Sequence, residues 1–288
     1  MNSGFRYHVV TIVGIFLALG IGLIGGSLFV SSPLIVQQTR AIRDLRYKLD
    51  DDISHLQGEN QNYHQFVDSV MPILIHGKLS GYNVIVVQTG DFSDLTRLLV
   101  TTLKEAGATV LSTIAITSKA ATADDATIVG VMSKLRSAHP FITLDRTGLW
   151  RVLAQSLVRG NGVSDLQILL DKGIIEADSN ALTNTGCMRI LVVGGSKEAD
   201  DTRAQMVDAP LISDLTGLGA TVVMAEPETA ITSSVPALAG TSIATVDNAE
   251  TTIGRCGVVF AFLGGPGNYG TKSSDVSLLP TPTATASP

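Results

Sequence analysis

The chain of 288 residues carries 20 basic and 26 acidic side chains, for a formal net charge of −6. It has no basic stripe and no interleaving of basic and aromatic residues, which argues against nucleic acid as a partner. Hydrophobic residues make up 45% of the chain and aromatic residues only 5%. A core must therefore be built from Val, Ile, Leu and Ala, as is usual in α/β domains.

A run without any charged residue, Val9 to Val30, lies near the start of the chain. As a helix it would be about 33 Å long, enough to cross the roughly 30 Å hydrocarbon core of a bilayer. A cleaved secretory signal is the alternative, but its apolar stretch usually has about 7–15 residues and ends at a small-residue cleavage site. The run is longer and no clear cleavage site follows it, so we expect an uncleaved single-pass anchor over residues 1–33.

Small residues recur at every fourth position of this run. They share one helix face, where close approach of two backbones favours helix pairing; the alternative is that glycine is simply common in membrane helices. The predicted pairing face consists of Gly14, Ala18, Gly22 and Gly26.

A long helical pattern follows from Leu34 to Val70. In a heptad frame one row is apolar, whereas Asp52 and Glu59 interrupt the other, and a coiled coil favours apolar residues in both. We expect a marginal, dimeric coiled-coil stalk over residues 34–71, ending at Met71-Pro72 because proline disrupts a helix. A single amphipathic helix lying on the globular domain is the alternative. The two rows are Ile42, Leu49, Leu56, Tyr63 and Val70, and Leu45, Asp52, Glu59 and Phe66.

Residues 80–270 alternate between apolar β-rich runs and amphipathic helical stretches. Such alternation predicts a mainly parallel sheet covered by helices. The low-complexity ending TPTATASP predicts a flexible tail over residues 271–288. Strands are predicted at Asn83–Thr89, Ala108–Ile116, Met188–Val193, Thr221–Ala225, Ser242–Val246 and Gly257–Leu263, and helices at 91–107, Ala123–Ser137, Thr147–Asp171 and Pro210–Leu218.

Motifs for catalysis or cofactor binding are missing from the sequence. Gly194-Gly195-Ser196 follows a predicted strand, but without G-x-G-x-x-G or GK[ST] a plain turn is the better interpretation. The pairs Asp124-Asp125 and Asp200-Asp201 favour the N-terminal ends of helices. We therefore expect no catalytic residues, no enzymatic activity and no evident cofactor.

The two cysteines, Cys187 and Cys256, each precede a predicted strand that ends in two glycines. If those strands are neighbours in similar register, the Cα atoms would lie about 5–6 Å apart, which suits a disulfide in an oxidising compartment. Two unrelated buried thiols are the alternative. Cys187-Met188 is also the only adjacent pair of soft ligands that copper would favour, although packing explains Met188 more simply.

Two blocks of the sequence resemble the mycobacterial copper-transport (MctB-like) proteins. One is FRYHVVTIVGIFLALGIGLIGGSLFVSSPL near the N-terminus, and the other is ATVDNAETTIGRCGVVFAFLGGPGNYG near the C-terminus. The order of anchor, stalk and α/β domain also fits. The resemblance implies a role in copper transport or homeostasis in an actinobacterial-type envelope, but it carries no metal ligands over to this chain.

The favoured hypothesis is a membrane-anchored envelope protein that contributes to copper homeostasis within an assembly. A related branch of the family resembles septal proteins, so the alternative is an envelope scaffold that recruits a membrane partner in cell separation. We expect a homo-oligomer formed through the transmembrane helix and stalk, an envelope protein partner, and an extracytoplasmic globular domain. One pattern conflicts with that sidedness: the positive-inside rule favours a cytoplasmic position for the downstream basic residues Arg40, Arg43, Arg46 and Lys48.

Overall fold

The computed structural model of the protein describes residues 3–30, 33–178, 180–183, 186–272 and 277–280. The chain divides into two compact units, Met1–Gln65 and Phe66–Pro288. The TPTATASP segment, for which the sequence predicts a flexible tail, lies outside the described residues.

The first unit is helical. Helix α1 (Ser3–Val30) contains the stretch Arg6–Gly26, whose mean hydropathy of 2.4 and length of 21 residues are enough to cross a membrane. Helix α2 (Pro33–Ile75) follows and continues into the second unit. The N-terminal apolar helix and the long helix after it are therefore as predicted.

Helix α2 does not end at Met71-Pro72, so that predicted boundary is wrong. Proline lacks an N–H and costs the helix one hydrogen bond, but the helix continues for one turn from Pro72 to Ile75. The His76 N–H still donates to the Pro72 carbonyl at 3.0 Å. The helix ends before Gly77, whose φ of +70° reverses the backbone.

The side chains at positions 37–66 of α2 are all exposed in the single chain. Its apolar stripe includes Ile53, which the heptad frame leaves out. Spacings of 3, 4, 4 and 3 match an 11-residue repeat, which keeps the stripe on one face and favours a right-handed supercoil. The stripe, called here the stalk stripe, consists of Ile42, Leu45, Leu49, Ile53 and Leu56.

The second unit is an α/β domain. Its strands are β1 (Asn83–Gln88), β2 (Thr109–Ile116), β3 (Ile175–Ala177), β4 (Arg189–Val193), β5 (Thr221–Ala225), β6 (Ala244–Val246) and β7 (Gly267–Tyr269). Its helices are α3 (Ser93–Glu105), α4 (Ser118–Thr122), α5 (Asp125–Leu135), α6 (Arg146–Arg159), α7 (Val163–Asp171), α8 (Ala209–Gly217) and α9 (Thr252–Ala261), with a π-helical turn at Ala204–Asp208 and a 3₁₀ turn at Val235–Leu238.

The seven strands form one sheet in the order β3-β2-β1-β4-β5-β6-β7. All neighbours are parallel except β3, which runs antiparallel to β2. The predicted mainly parallel sheet is confirmed. The chain order reverses between β1 and β4, and a crevice at the carboxyl ends of the strands is expected at such a point.

The sheet separates two hydrophobic cores because neighbouring strand residues face opposite sides. Ile85 and Val87 of β1 pack with α5 to α8 around Trp150, whereas Val84 and Val86 pack with α3, α9 and the end of α2. Burial of β1 and β4 on both faces explains why these strands read as continuous apolar runs.

The predicted strand Gly257–Leu263 is wrong, because this segment lies mostly in helix α9. The Thr251 hydroxyl accepts the Gly254 N–H at 3.0 Å and caps the helix. An apolar run of this length has no periodicity that distinguishes a buried helix from a buried strand. The predicted helix Thr147–Asp171 is likewise divided into α6 and α7 at Gly160, whose φ is +75°.

The end of the domain is held by a buried ion pair. Glu226 has no exposed surface, and its carboxylate accepts hydrogen bonds from Lys272 Nζ at 2.8 Å and from the Ser234 N–H at 2.7 Å. The Thr271 N–H donates to Asp247 Oδ1 at 2.7 Å. Thr271 and Lys272 are therefore anchored, and the tail predicted from residue 271 begins too early.

Substitution of Lys272 by Met is expected to destabilise the α/β domain by about 3–5 kcal/mol, because it leaves the Glu226 carboxylate buried and unpaired. Chemical unfolding of the full-length protein in detergent, followed by circular dichroism, measures the loss. Lys104→Met, at an exposed position of α3, is the matched control. The double variant Glu226→Gln/Lys272→Met should recover most of the stability. A Lys272→Met variant as stable as the control would contradict the role given to this pair.

Candidate functional site

The structure does not join the two cysteines. Both are free and buried; Cys187 packs in the core around Trp150, and Cys256 packs in the core on the other face of the sheet. The predicted disulfide fails because its premise, that Cys256 precedes a strand, is wrong. The argument from that disulfide for an oxidising compartment falls with it.

Cys187 and Met188 lie in different surroundings. The Cys187 thiol donates to the Asn83 and Arg189 carbonyls at 3.1 and 3.2 Å, and burial raises its pKa. Met188 is partly exposed and its methyl group lies near Gly219. A buried neutral thiol is a poor metal ligand, since the thiolate is the form that binds. Copper binding by this pair stays a prediction.

The predicted pairing face of α1 is exposed in the single chain. A Cβ atom added to Gly14, Gly22 or Gly26 would meet nothing within 4 Å. Contacts inside one chain therefore do not require these glycines, and pairing with another helix stays a prediction.

The crevice between β1 and β4 is where the structure gathers polar side chains. The loops after the two strands pack tightly, with the Thr89 and Gly90 N–H groups donating to the Val193 carbonyl at 2.9 and 3.1 Å. A Cβ on Gly90 would lie 2.2 Å from the Gly195 carbonyl oxygen. Glycine at position 90 is therefore required for the close approach of these loops.

Arg203 links the two loops. Its Nη2 atom lies 2.6 Å from Asp91 Oδ2 and 3.0 Å from Ser196 Oγ, and its Nε lies 2.7 Å from Asp201 Oδ2. The hydrogen bond from Arg203 lowers the pKa of Asp91 to about 2. The guanidinium is thus paired with two carboxylates, and the Gly194-Gly195-Ser196 turn forms part of this cluster.

Asp208 lies behind this cluster, at the end of the π-helical turn. It is 1% exposed, the hydroxyl groups of Ser234 and Thr89 approach its carboxyl group, and its Oδ1 atom has no hydrogen-bond partner. Burial raises its pKa from 3.8 to about 6, against the opposing effects of the two hydroxyls and Arg203. Single π-helical turns are frequent at functional sites.

A cavity of about 10 Å³ lies beside Asp208, with Thr89, Ser196, Arg203 and Ser234 among its lining residues. A cavity of this size is at the lower limit for holding one water molecule. Asp208 Oδ1 is therefore a buried acceptor beside a space large enough for one small donor group.

A larger open groove adjoins this cavity, and the two share Asp201 and Thr232. Its volume is about 630 Å³. Asp200, one of the residues that line the groove, has a φ of +59°. A left-handed backbone conformation in a non-glycine residue often marks a functional site. This switch-point groove is lined by Ala199, Asp200, Asp201, Thr202, Gln205, Met206, Ile231, Thr232, Ser233 and Pro236.

Another polar cluster, away from this groove, has the composition but not the geometry of a hydrolase triad. Asp165 Oδ2 lies 2.8 Å from His139 Nε2 and 3.4 Å from Ser156 Oγ. The buried serine contacts the carboxylate and donates to the Val152 carbonyl at 2.8 Å. Activation of a serine nucleophile requires the hydroxyl to contact the imidazole.

Among the described residues, no group of three or more His, Cys, Asp or Glu side chains is placed to hold a metal ion. The polar cluster of the crevice was missed by sequence reasoning. The available signal was the Gly-Gly-Ser turn after a strand, but Arg203 and Asp208 follow in a segment without a recognisable motif.

The fold is that of an α/β domain preceded by a helix long and apolar enough to span a membrane. The family model described as "Copper transport outer membrane protein, MctB" matches residues 4–280, so the chain belongs to this family. Comparison with curated proteins found no match.

Substitution of Asp208 by Asn is expected to stabilise the domain at mildly alkaline pH by about 1–3 kcal/mol. The folded-state pKa of about 6 exceeds the ordinary value of 3.8, so folding favours the protonated form. This contribution is fully present below pH 3.8 and is lost as pH rises through 6. Chemical unfolding of wild type and variant across this range measures the difference.

Asp214→Asn is the matched control, because Asp214 lies on α8 and pairs with Arg151 at 3.2 Å, outside the cavity lining. A stability difference between wild type and Asp208→Asn that stays constant with pH would contradict the raised pKa of Asp208.

Proposed function

We propose that this protein contributes to copper homeostasis at the cell envelope, as a membrane-anchored component of an assembly. The match to the copper transport family over nearly the whole chain supports this role most directly. The apolar helix α1 supports attachment to a membrane. The septal alternative gains no support from the family match.

The proposed role is neither that of a pore nor that of an enzyme. A single apolar helix cannot enclose a channel, and the central strands are covered on both faces by the two hydrophobic cores. The absence of a metal-holding cluster among the described residues favours copper handling that involves further chains. An envelope protein partner, or further copies of this chain, would supply what one chain lacks.

Deletion of the gene is expected to raise cell-associated copper and to slow growth under copper load. Full-length protein supplied in trans should restore both, and the same strains under zinc load serve as the control for metal specificity. Growth and total cell copper, measured by elemental analysis, are the readouts. Normal growth and normal copper content in the deletion strain under copper load would contradict the proposal.

The stalk stripe supports self-association of the chain. Leu49, Ile53 and Leu56 are apolar and exposed over successive turns of α2, and such a stripe is stable in water only when another apolar surface covers it. A second copy offers an identical stripe, and the open glycine face of α1 would pair in the same assembly. The proposed arrangement is a homo-oligomer through both helices.

Cysteine crosslinking tests this arrangement in membranes. Leu56→Cys lies on the stalk stripe, whereas Ser54→Cys lies on another face of the helix, and both are made with Cys187 and Cys256 replaced by Ala. Mild oxidation should crosslink the Leu56 variant to a dimer-sized species and leave the Ser54 variant monomeric. Equal crosslinking of the two variants would contradict pairing through the stripe.

The Ser54→Cys variant also tests the proposed extracytoplasmic position of the globular unit. A membrane-impermeant maleimide should label Ser54→Cys in intact cells. Labelling that requires permeabilised cells would place the stalk on the cytoplasmic side, as the positive-inside rule favours.

A further inference from the structure

We propose that the switch-point groove binds a ligand with a primary ammonium group, and that this group enters the cavity beside Asp208. The inference concerns a site for a small organic cation and is independent of the role in copper homeostasis.

The unpartnered Oδ1 atom of Asp208 is the first observation. A buried carboxylate oxygen without a hydrogen bond carries an uncompensated desolvation cost, and buried polar atoms in folded proteins are almost always satisfied. Asp208 is 1% exposed and lines the cavity. A donor group placed in that cavity would remove the cost.

The size and lining of the cavity select the donor. A space of about 10 Å³ takes a group of the size of water, such as an ammonium head, and excludes a planar guanidinium or a quaternary ammonium. An ammonium group offers three donors. The carboxylate of Asp208 and the hydroxyls of Thr89 and Ser234 are acceptors for those donors.

The charge balance around the cavity favours a cation. Four carboxylates lie around the cavity. Three belong to the polar cluster (Asp91, Asp201 and Asp208), and the fourth is that of Glu226 in the buried ion pair with Lys272. Among the described residues, two cations form ion pairs with these carboxylates: Arg203 pairs with Asp91 and Asp201, and Lys272 pairs with Glu226 at 2.8 Å. Two negative charges are left without a balancing cation, which a bound ammonium would partly neutralise.

The open part of the groove accommodates the remainder of the ligand. Its volume of about 630 Å³ lies within the usual range of about 300–1,000 Å³ for small-molecule sites. Met206 and Ile231 supply exposed apolar surface. A short alkyl chain attached to the ammonium group would pack against these side chains.

Two other occupants of the cavity are distinguishable from an ammonium group. A hard metal cation would also pair with a carboxylate, but the described residues offer no group of three acidic or histidine ligands. A single water molecule would satisfy Oδ1 without any dependence on added amines. The experiment therefore compares methylammonium with sodium, to detect a hard-cation site, and with tetramethylammonium, to detect a cavity filled by water.

The test uses the full-length protein in detergent at mildly alkaline pH, where Asp208 is ionised. Thermal unfolding and calorimetric titration are carried out with methylammonium, n-butylammonium, tetramethylammonium and sodium chlorides at equal ionic strength. We expect methylammonium to stabilise the protein, n-butylammonium to bind more tightly, and tetramethylammonium and sodium to have only the common effect of salt. Asp208→Asn should weaken n-butylammonium binding by about tenfold or more, whereas Asp214→Asn should leave it unchanged.

Equal stabilisation by sodium and methylammonium, both beyond the effect of tetramethylammonium, would overturn the proposal in favour of a hard-cation site. The same effect of methylammonium, tetramethylammonium and sodium would overturn it in favour of a cavity filled by water. Both comparisons are made on the wild-type protein, so they decide the question even if Asp208→Asn fails to fold.

Discussion

Buried negative charge is the constraint around which the carboxyl edge of this sheet is organised. A carboxylate removed from water is costly unless it is paired and hydrogen-bonded. Arg203 satisfies this requirement for Asp91 and Asp201, and Lys272 satisfies it for Glu226. The pairs Asp91–Arg203 and Glu226–Lys272 join residues that are far apart in sequence. They therefore tie the loop after β1 to the loop after β4, and the end of β5 to the end of the domain. Asp208 is the exception, with one oxygen unpartnered.

The geometry of parallel sheets explains the position of Asp208. Reversal of strand order between β1 and β4 opens a crevice at their carboxyl ends, and the glycine-rich turns let the backbone pass closely there. The π-helical turn that ends at Asp208 directs the chain into α8 immediately beneath the crevice. An apolar residue in place of Asp208 would avoid the cost of burying its carboxyl group, so stability of the fold does not explain a carboxylate at this position.

The sequence predicts the regular parts of this protein well because their signals are local. The charge-free run before position 30, the alternation of strands and helices, and the apolar runs at β1 and β4 each follow from composition over a few residues. Errors arise where a local pattern is ambiguous: Gly257–Leu263 is apolar without periodicity, and helix α2 continues past Pro72 to Ile75 although proline usually disrupts a helix. The crevice could not be predicted, because Asp91 and Arg203 are 112 residues apart and nothing in the sequence near Asp208 marks it as buried.

The protonation of Asp208 is the property on which the candidate site depends most directly. Selective ¹³C labelling of aspartate carboxyl groups, with the Asp208 signal assigned by comparison with Asp208→Asn, gives its pKa by NMR in the full-length protein. We expect a pKa near 6, well above the ordinary value of 3.8, and a downward shift when methylammonium is added, because a bound cation stabilises the ionised form. A pKa in the ordinary range that does not respond to the amine would show that Asp208 is neither desolvated nor part of a cation site.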